Sequence, residues 1–365
     1  MLSRIAEQLF WIGRYLERAD VTARILDVHL HQVLEDPTVD PAAAAVALLA
    51  VMGIHHPTSD AAEPDDRPTG GAGTAPGAGQ TRRPADTLRP SDAAGPPGGE
   101  PADAAPVPVA VTELLALDPH APSSIAASLT AAREAARHVR EVISSELWEC
   151  LNATYLGLGM QANRARTLGL HGYFQWVRQR AAMATGIVES TLSRDDGWQF
   201  LVLGRSLERL DMTARLLASR LVVAEEASGD DTADWVATLR SCSAHEAYLR
   251  SYRRGVEGPL AIEFLLLDRL FPRSAWRSLA EAEACVAALL PTSGRLGPDD
   301  PARRALGLAR ATLELRSPRD LLDELPSVLQ TLEAACAEAT VALGTRFFRH
   351  EPTLAWRPER AGTVA

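Results

Sequence analysis

Glu17, Asp20 and Arg24 stand three and four residues apart in "IGRYLERADVTARIL", residues 12–26. Glu208, Asp211 and Arg215 repeat that spacing in "LGRSLERLDMTARLL", residues 203–217. The two segments share the frame G-R-x-L-E-R-x-D-x-T-A-R at an offset of 191 residues without a gap. Spacings of three and four return to one side of a helix, so Gly13, Glu17, Asp20 and Arg24 form one stripe, and Gly204, Glu208, Asp211 and Arg215 form its copy. Each stripe borders an apolar face, so its charges are expected to be half or fully buried. Arg14 and Arg18, with Arg205 and Arg209, are expected to project from the other side. Two chemistries follow. Either the copies pack on each other about a pseudo-twofold axis, with Glu17 pairing to an Arg of the second copy and Glu208 doing the reverse, or the charges converge on a polar cavity that holds a ligand bearing amine and carboxylate groups. Glycine one turn before each Glu permits close approach of another helix in both cases.

Other stretches carry reactive groups with less order. "SAHEAYLRSYRR" sets His245, Tyr248 and Tyr252 along one helix face, with Glu246, Arg250 and Arg253 on others. His and Tyr can move protons, but this His lacks an orienting carboxylate in the sequence. "TAAREAARHVREVISSELWECLN" supplies Arg133, Glu134, Arg137, Arg140 and Glu141, then Trp148 and Asn152 one turn apart. That pair reads as a core Trp beside a satisfied amide or as the wall of a pocket. In "LFPRS", Pro272 and Arg273 open a helix that Ser274 helps to cap.

Rival chemistries lack their motifs. A di-iron bundle needs E-x-x-H on two helices, and none occurs. His29 and His31, two apart on a helix, face different directions, so no metal site is expected, nor any cofactor. There is no G-x-x-x-x-G-K-[ST] and no G-x-G-x-x-G. All 37 basic residues are Arg, which removes lysine chemistry altogether. A net charge of -10 excludes a general nucleic-acid binder. No stretch of 20 or more residues is free of charge, so no membrane span is expected. Cys150, Cys242, Cys285 and Cys336 are far apart in helix-like surroundings and read as reduced, buried thiols of a cytoplasmic protein.

The elements that must position these residues are helices. Ala, Leu and Arg dominate, only 5% of residues are aromatic, and no strand alternation is sustained. The expected fold is all-α: an elongated up-and-down helical bundle with an internal duplication of the G-R-x-L-E-R helix. Helices are predicted from Leu2 to about Glu35, over "AAAAVALLAVMGI", from Ser123 or Ser124 to about Leu156, and at roughly 171–193, 197–226, 232–254, 257–270, 273–290, 301–316 and 318–349. The chain is read as one domain, 1–365. Within it, residues 57–108 are rich in Pro, Gly, Ala, Asp and Thr and read as a disordered insertion, and 350–365 as a flexible tail.

"LSRIAEQLFWIGRYLERAD", the second "GRxLER" helix, "SSIAASLTAAREAARHVREVISSELWECLN", "SAHEAYLRSYRR" and "PLAIEFLLLDRLFPRS" together resemble the alpha-E family of bacterial all-helical proteins. On its E-R motif the matching positions are Arg14, Glu17 and Arg18. The resemblance implies company: a circularly permuted ATP-grasp ligase, encoded beside or fused to the domain, and often a transglutaminase-like peptidase. It implies an accessory scaffold or substrate carrier in peptide or amide-bond metabolism. Two other roles stay open, an enzyme acting on an amino-acid or peptide substrate between the paired E-R motifs, and a bundle that binds a small peptide or amino-acid-like ligand without turnover.

Overall fold

A computed structural model describes residues 3–35, 40–54, 107–226, 232–290 and 300–348. Along the chain run α1 (Ser3–Glu35), α2 (Pro41–Val51), α3 (Val107–Leu117), α4 (Ile125–His138), α5 (Ser145–Leu168), α6 (His171–Thr191) and α7 (Asp196–Glu226). Then follow α8 (Thr232–Ser241), α9 (His245–Tyr252), α10 (Gly258–Leu267), α11 (Ala275–Leu289), α12 (Pro301–Leu315), α13 (Pro318–Asp323) and α14 (Leu325–Leu343), closed by a π-helical turn, Gly344–Phe348. No strand occurs among the described residues. The expected insertion, apart from Val107 and Pro108 at the start of α3, and the expected tail lie outside them.

The long helices α1 and α7 make the most extensive helix–helix contact among the described residues. Glycine decides how close they come. A β-carbon on Gly13 would lie 2.0 Å from the carbonyl oxygen of Leu201, and one on Gly204 would lie 2.0 Å from that of Phe10. Leu201 is Phe10 displaced by 191 residues, as Gly204 is Gly13, so each helix does to the other what the other does to it. Contacts climb both helices in the same sense, from Gly13 against Leu201 to Glu17 against Arg209, so α1 and α7 run in parallel register. Phe10 and Phe200 close the lower end by packing on one ring, Phe348.

Parallel neighbours need helices to carry the chain back, and the packing scheme repeats in doing so. α4 lies on α1 as α11 lies on α7; α6 lies on α1 as α14 lies on α7; α5 joins α4 to α6 as α12 joins α11 to α14. Early in each half the partners cross over, α2 packing on α7 and α8 on α1. The buried Leu and Ala faces of these helices merge into one core.

A shorter echo, at an offset of 150 residues, sets the entry to α4 and α11. In "LDPHAPSS" Asp118 Oδ1 accepts the His120 N–H at 2.8 Å, while Ser124 Oγ donates to the Asp118 carbonyl and accepts the Ala127 N–H at 3.0 Å. In "LDRLFPRS" Asp268 accepts from Leu270 at 2.8 Å, and Ser274 donates to the Asp268 carbonyl and accepts from Arg277 at 3.1 Å. Both serines satisfy an orphan N–H of the first helical turn. The two loops differ at one decisive position, where the first has Ser123 and the second Arg273.

Several predicted helices are divided. The run from Ser123 to Leu156 breaks after Val139, because Ser144 caps a new helix by accepting the Leu147 N–H at 3.2 Å. The run 232–254 breaks at Ser243, whose φ of 53° is left-handed, a conformation that stops a helix. The run 318–349 breaks at Glu324, just before Pro326 in the first turn of α14. Helix α3 was not expected at all; its composition, VPVAVTELLAL, is too apolar to show a helical period.

Candidate functional site

The repeated motif forms a buried ion-pair network where α1 and α7 meet. Glu208 is 1% exposed and receives Arg14 Nε at 2.5 Å and Arg18 Nε and Nη2 at 2.5 and 3.1 Å. Glu17 receives Arg209 Nε and Nη2 at 3.0 and 2.7 Å. The E-R pair of each helix is thus completed by the other: the Glu of one accepts a fork of hydrogen bonds from the Arg of its twin. The expectation that Arg14, Arg18 and Arg209 project away from the stripe is corrected here. With no β-carbon at Gly13 or Gly204 the helices lie so close that these long side chains wrap across the seam to the partner's carboxylate.

The symmetry then fails in an informative way. Arg273, the residue before the N-cap of α11, sends Nη1 to Glu17 Oε1 at 2.6 Å and Nη2 to Asp20 Oδ2 at 2.5 Å. Its counterpart Ser123 is too short to do so. On the other side Asp211 is met by Arg215 Nε at 3.1 Å and Arg14 Nη2 at 3.9 Å, and Arg14 also donates to Thr340 Oγ1. Arg205 departs from its twin Arg14: still buried, it turns away from the partner's glutamate to Glu189 on α6 and Glu281 on α11, at 3.2 and 3.6 Å. Arg24 spans Asp20 and the hydroxyl of Ser243, which accounts for a serine at a left-handed position usually given to glycine.

Electrostatics follow from this geometry. Burial alone would raise both glutamate pKa values, but the guanidiniums overcome it. Glu17 is brought down to about 2 by Arg209, Arg273 and Arg205, against the opposing effect of burial. Glu208 is lowered in the same way by Arg14 and Arg18. Both are therefore anions at neutral pH and hold no proton to give. Their lone pairs are already committed to arginine.

The secondary candidates lie elsewhere and are not brought to the E-R seam, Arg273 excepted. Arg133 donates to Asn152 Oδ1 at 3.2 Å and covers the rings of Trp148 and Tyr155, with Arg140 on the Trp148 ring at 4.5 Å from its centroid. Glu134 joins Arg133 and Arg137 on the exposed side. Tyr248 is fully buried: its hydroxyl donates to the Gly255 carbonyl and accepts the Glu257 N–H, anchoring the turn after α9. Tyr252 donates to Glu263 at 3.0 Å. His245 has Glu246 3.9 Å away, and Arg253 takes a left-handed φ of 52° that ends the helix. These contacts explain the stretch as a structural corner. A groove of about 380 Å³ opens between α5 and α6, lined by Gln161, Arg164, Gln175, Trp176 and Gln179 among others. Sequence reasoning singled out none of them, since its polar and aromatic residues come from two helices with no shared motif. Glu189, Glu281 and Ser243 were missed for the same reason.

Comparison with known proteins agrees that this is an all-helical domain. The chain is 26% identical over 307 residues to an uncharacterised protein of Mycobacterium bovis and to two of Mycobacterium tuberculosis, an overlap covering 81% of this chain and 31% of each relative. It spans less than a third of the length of these relatives. No solved structure matches. Among the described residues no helix is long and apolar enough to cross a membrane. The family model described as a predicted alpha-helical domain with a conserved ER motif matches residues 1–348, and the chain belongs to that family, Alpha-E.

Proposed function

We propose that this domain is a rigid helical scaffold or substrate carrier that works with a circularly permuted ATP-grasp amide ligase. The observation that carries the reading is the occupied state of the E-R carboxylates. A general acid or base must exchange a proton near neutral pH, and Glu17, with its pKa near 2 and arginines on both oxygens, is built to stay charged and fixed. Such a network clamps two helices and presents a constant outer surface. Two features support a partner on that surface. The relatives are much longer than this chain, so in them the domain sits within a larger protein. Leu156 and Met160, one turn apart on α5, are 70% and 67% exposed. The enzymatic alternative would require Glu17 or Glu208 to release its arginines during turnover.

The test uses the full chain and a purified circularly permuted ATP-grasp ligase. Light scattering after size exclusion reads the complex, and ATP hydrolysis by the ligase with amino acids or short acidic peptides reads the effect. A stoichiometric complex that Leu156→Asp/Met160→Asp weakens, with ligase turnover raised by the wild type, is expected. Absence of a complex at tens of micromolar, with turnover unchanged, would overturn the proposal.

A further inference from the structure

We propose that Asp27, His31 and His171 form a binding site for a divalent transition-metal ion of the zinc, cobalt or nickel class. The stripe that begins at Gly13 and runs through Glu17, Asp20 and Arg24 continues at the same three-and-four spacing to Asp27 and His31. Its far end meets the start of α6, whose first residue is His171. One donor atom from each of the three residues lies within 4.8 Å of those of the other two. His171 Nδ1 is 2.7 Å from Asp27 Oδ1, His31 Nδ1 is 3.7 Å from the same oxygen, and the two imidazoles meet edge to face at 5.2 Å. An ion with nitrogen and oxygen ligands at about 2.0–2.2 Å holds them roughly 3–3.5 Å apart, so side-chain rotation is enough to complete the site.

The surroundings already orient these donors. His31 Nδ1 also lies 2.6 Å from the Asp27 carbonyl oxygen, a contact that holds its ring beside the cluster. Arg178 Nη2 holds Asp27 Oδ2 at 3.3 Å and leaves Oδ1 to the imidazoles. The same cation opposes a second positive charge. Binding must then come from the two nitrogens, which favours zinc, cobalt and nickel over magnesium and calcium. Asp27 is buried at the base, while His31 and His171 are 48% and 58% exposed, so an ion can reach the site and keep solvent ligands. His29, two residues from His31 and so on another side of α1, takes no part.

Displacing Asp27 and His31 by 191 residues gives Ala218 and Val222, neither of which ligates a metal. The site thus belongs to one half of the duplicated pattern. The expectation of no metal rested on pairing His31 with His29; the partner lies 140 residues further on and is joined only by the packing of α6 on α1.

The experiment titrates the full chain, free of any histidine tag, with Co²⁺ and follows its visible d–d absorption, then displaces it with Zn²⁺, with Mg²⁺ as a control. His31→Gln and His171→Gln alter exposed side chains, and His120→Gln alters an exposed histidine outside the cluster. The expected result is a saturable spectrum at one ion per chain, displaced by Zn²⁺, untouched by Mg²⁺ and by His120→Gln, and weakened at least about ten-fold in either cluster variant. No saturable spectrum, or one that survives both cluster substitutions, would overturn the assignment.

Discussion

A β-carbon on Gly13 would stand 2.0 Å from the carbonyl oxygen of Leu201, closer than two such atoms can come. Gly13→Ala would gain about 1 kcal/mol of helix propensity in isolation. Here it must push α7 away along its backbone, because the obstacle is a carbonyl and not a side chain that can rotate. The expected net outcome is a loss of at least about 2 kcal/mol, read as a lower urea midpoint. Gly204→Ala should behave alike, since Phe10 presents the same obstacle. A stability gain in either variant would show that the two helices can move apart at little cost.

The two E-R carboxylates are not equally replaceable. Without Glu208, Arg18 loses its described acceptor, and Arg14 keeps Thr340 and a distant Asp211. Without Glu17, Arg209 still donates to the Pro272 carbonyl and Arg273 still has Asp20. Glu208→Gln is therefore expected to cost about 3–5 kcal/mol, as breaking a buried pair does, and Glu17→Gln less, roughly 1–3 kcal/mol. Equilibrium denaturation of both variants checks the order. A larger loss for Glu17→Gln would mean that Arg273 depends on Glu17 more than its bond to Asp20 suggests.

How much of this was legible beforehand depends on whether one helix carried the pattern. The repeat of Gly13–Arg24 at Gly204–Arg215 is contiguous, so the doubled helix and the cross-pairing of Glu17 and Glu208 appear as one of two options in the sequence alone. The direction of Arg14 and Arg18 does not, because a helical wheel assigns side chains to faces and ignores how far an arginine bends when a glycine removes the spacing between helices. Arg273 was visible as a helix-start residue, but its reach to Glu17 depends on α11 packing against α7. His171 and Asp27 are 144 residues apart, and only the docking of α6 brings them together. The echo of Asp118–Ser124 in Asp268–Ser274 is faint in the sequence, because only Leu-Asp and Pro-x-Ser match and the residues between them differ.

Acid should loosen the seam in a defined window. The folded-state pKa of Glu17 is depressed to about 2 from an ordinary value of 4.5, and that of Glu208 is depressed as well. A depressed carboxylate stabilises the fold fully above its unfolded pKa and loses that contribution as pH falls toward the folded value. Stability is thus expected to decline from about pH 4.5 toward pH 2, with Glu17 alone responsible for on the order of 3 kcal/mol. Urea midpoints measured across that range in wild type and Glu17→Gln give the comparison. The variant should show a shallower decline, and parallel curves would place the acid sensitivity elsewhere.

The four thiols offer a final probe of the same packing. Cys150, Cys242, Cys285 and Cys336 are all free and buried. Burial pushes Cys242 and Cys285 up to about 12, and Cys150 and Cys336 rise for the same reason. Since the thiolate is the reactive form, the native protein should resist Ellman's reagent at pH 8, and all four should react once concentrated guanidinium opens the core. Cys336 donates to the Leu207 carbonyl beside the E-R seam, and Cys242 lies near Arg273 and Arg24 on its other side. In Glu208→Gln these two should become the first to react as the helices separate. Labelling followed by peptide mass spectrometry identifies them, and early modification of Cys285 instead would show that α11 leaves α7 before α1 does.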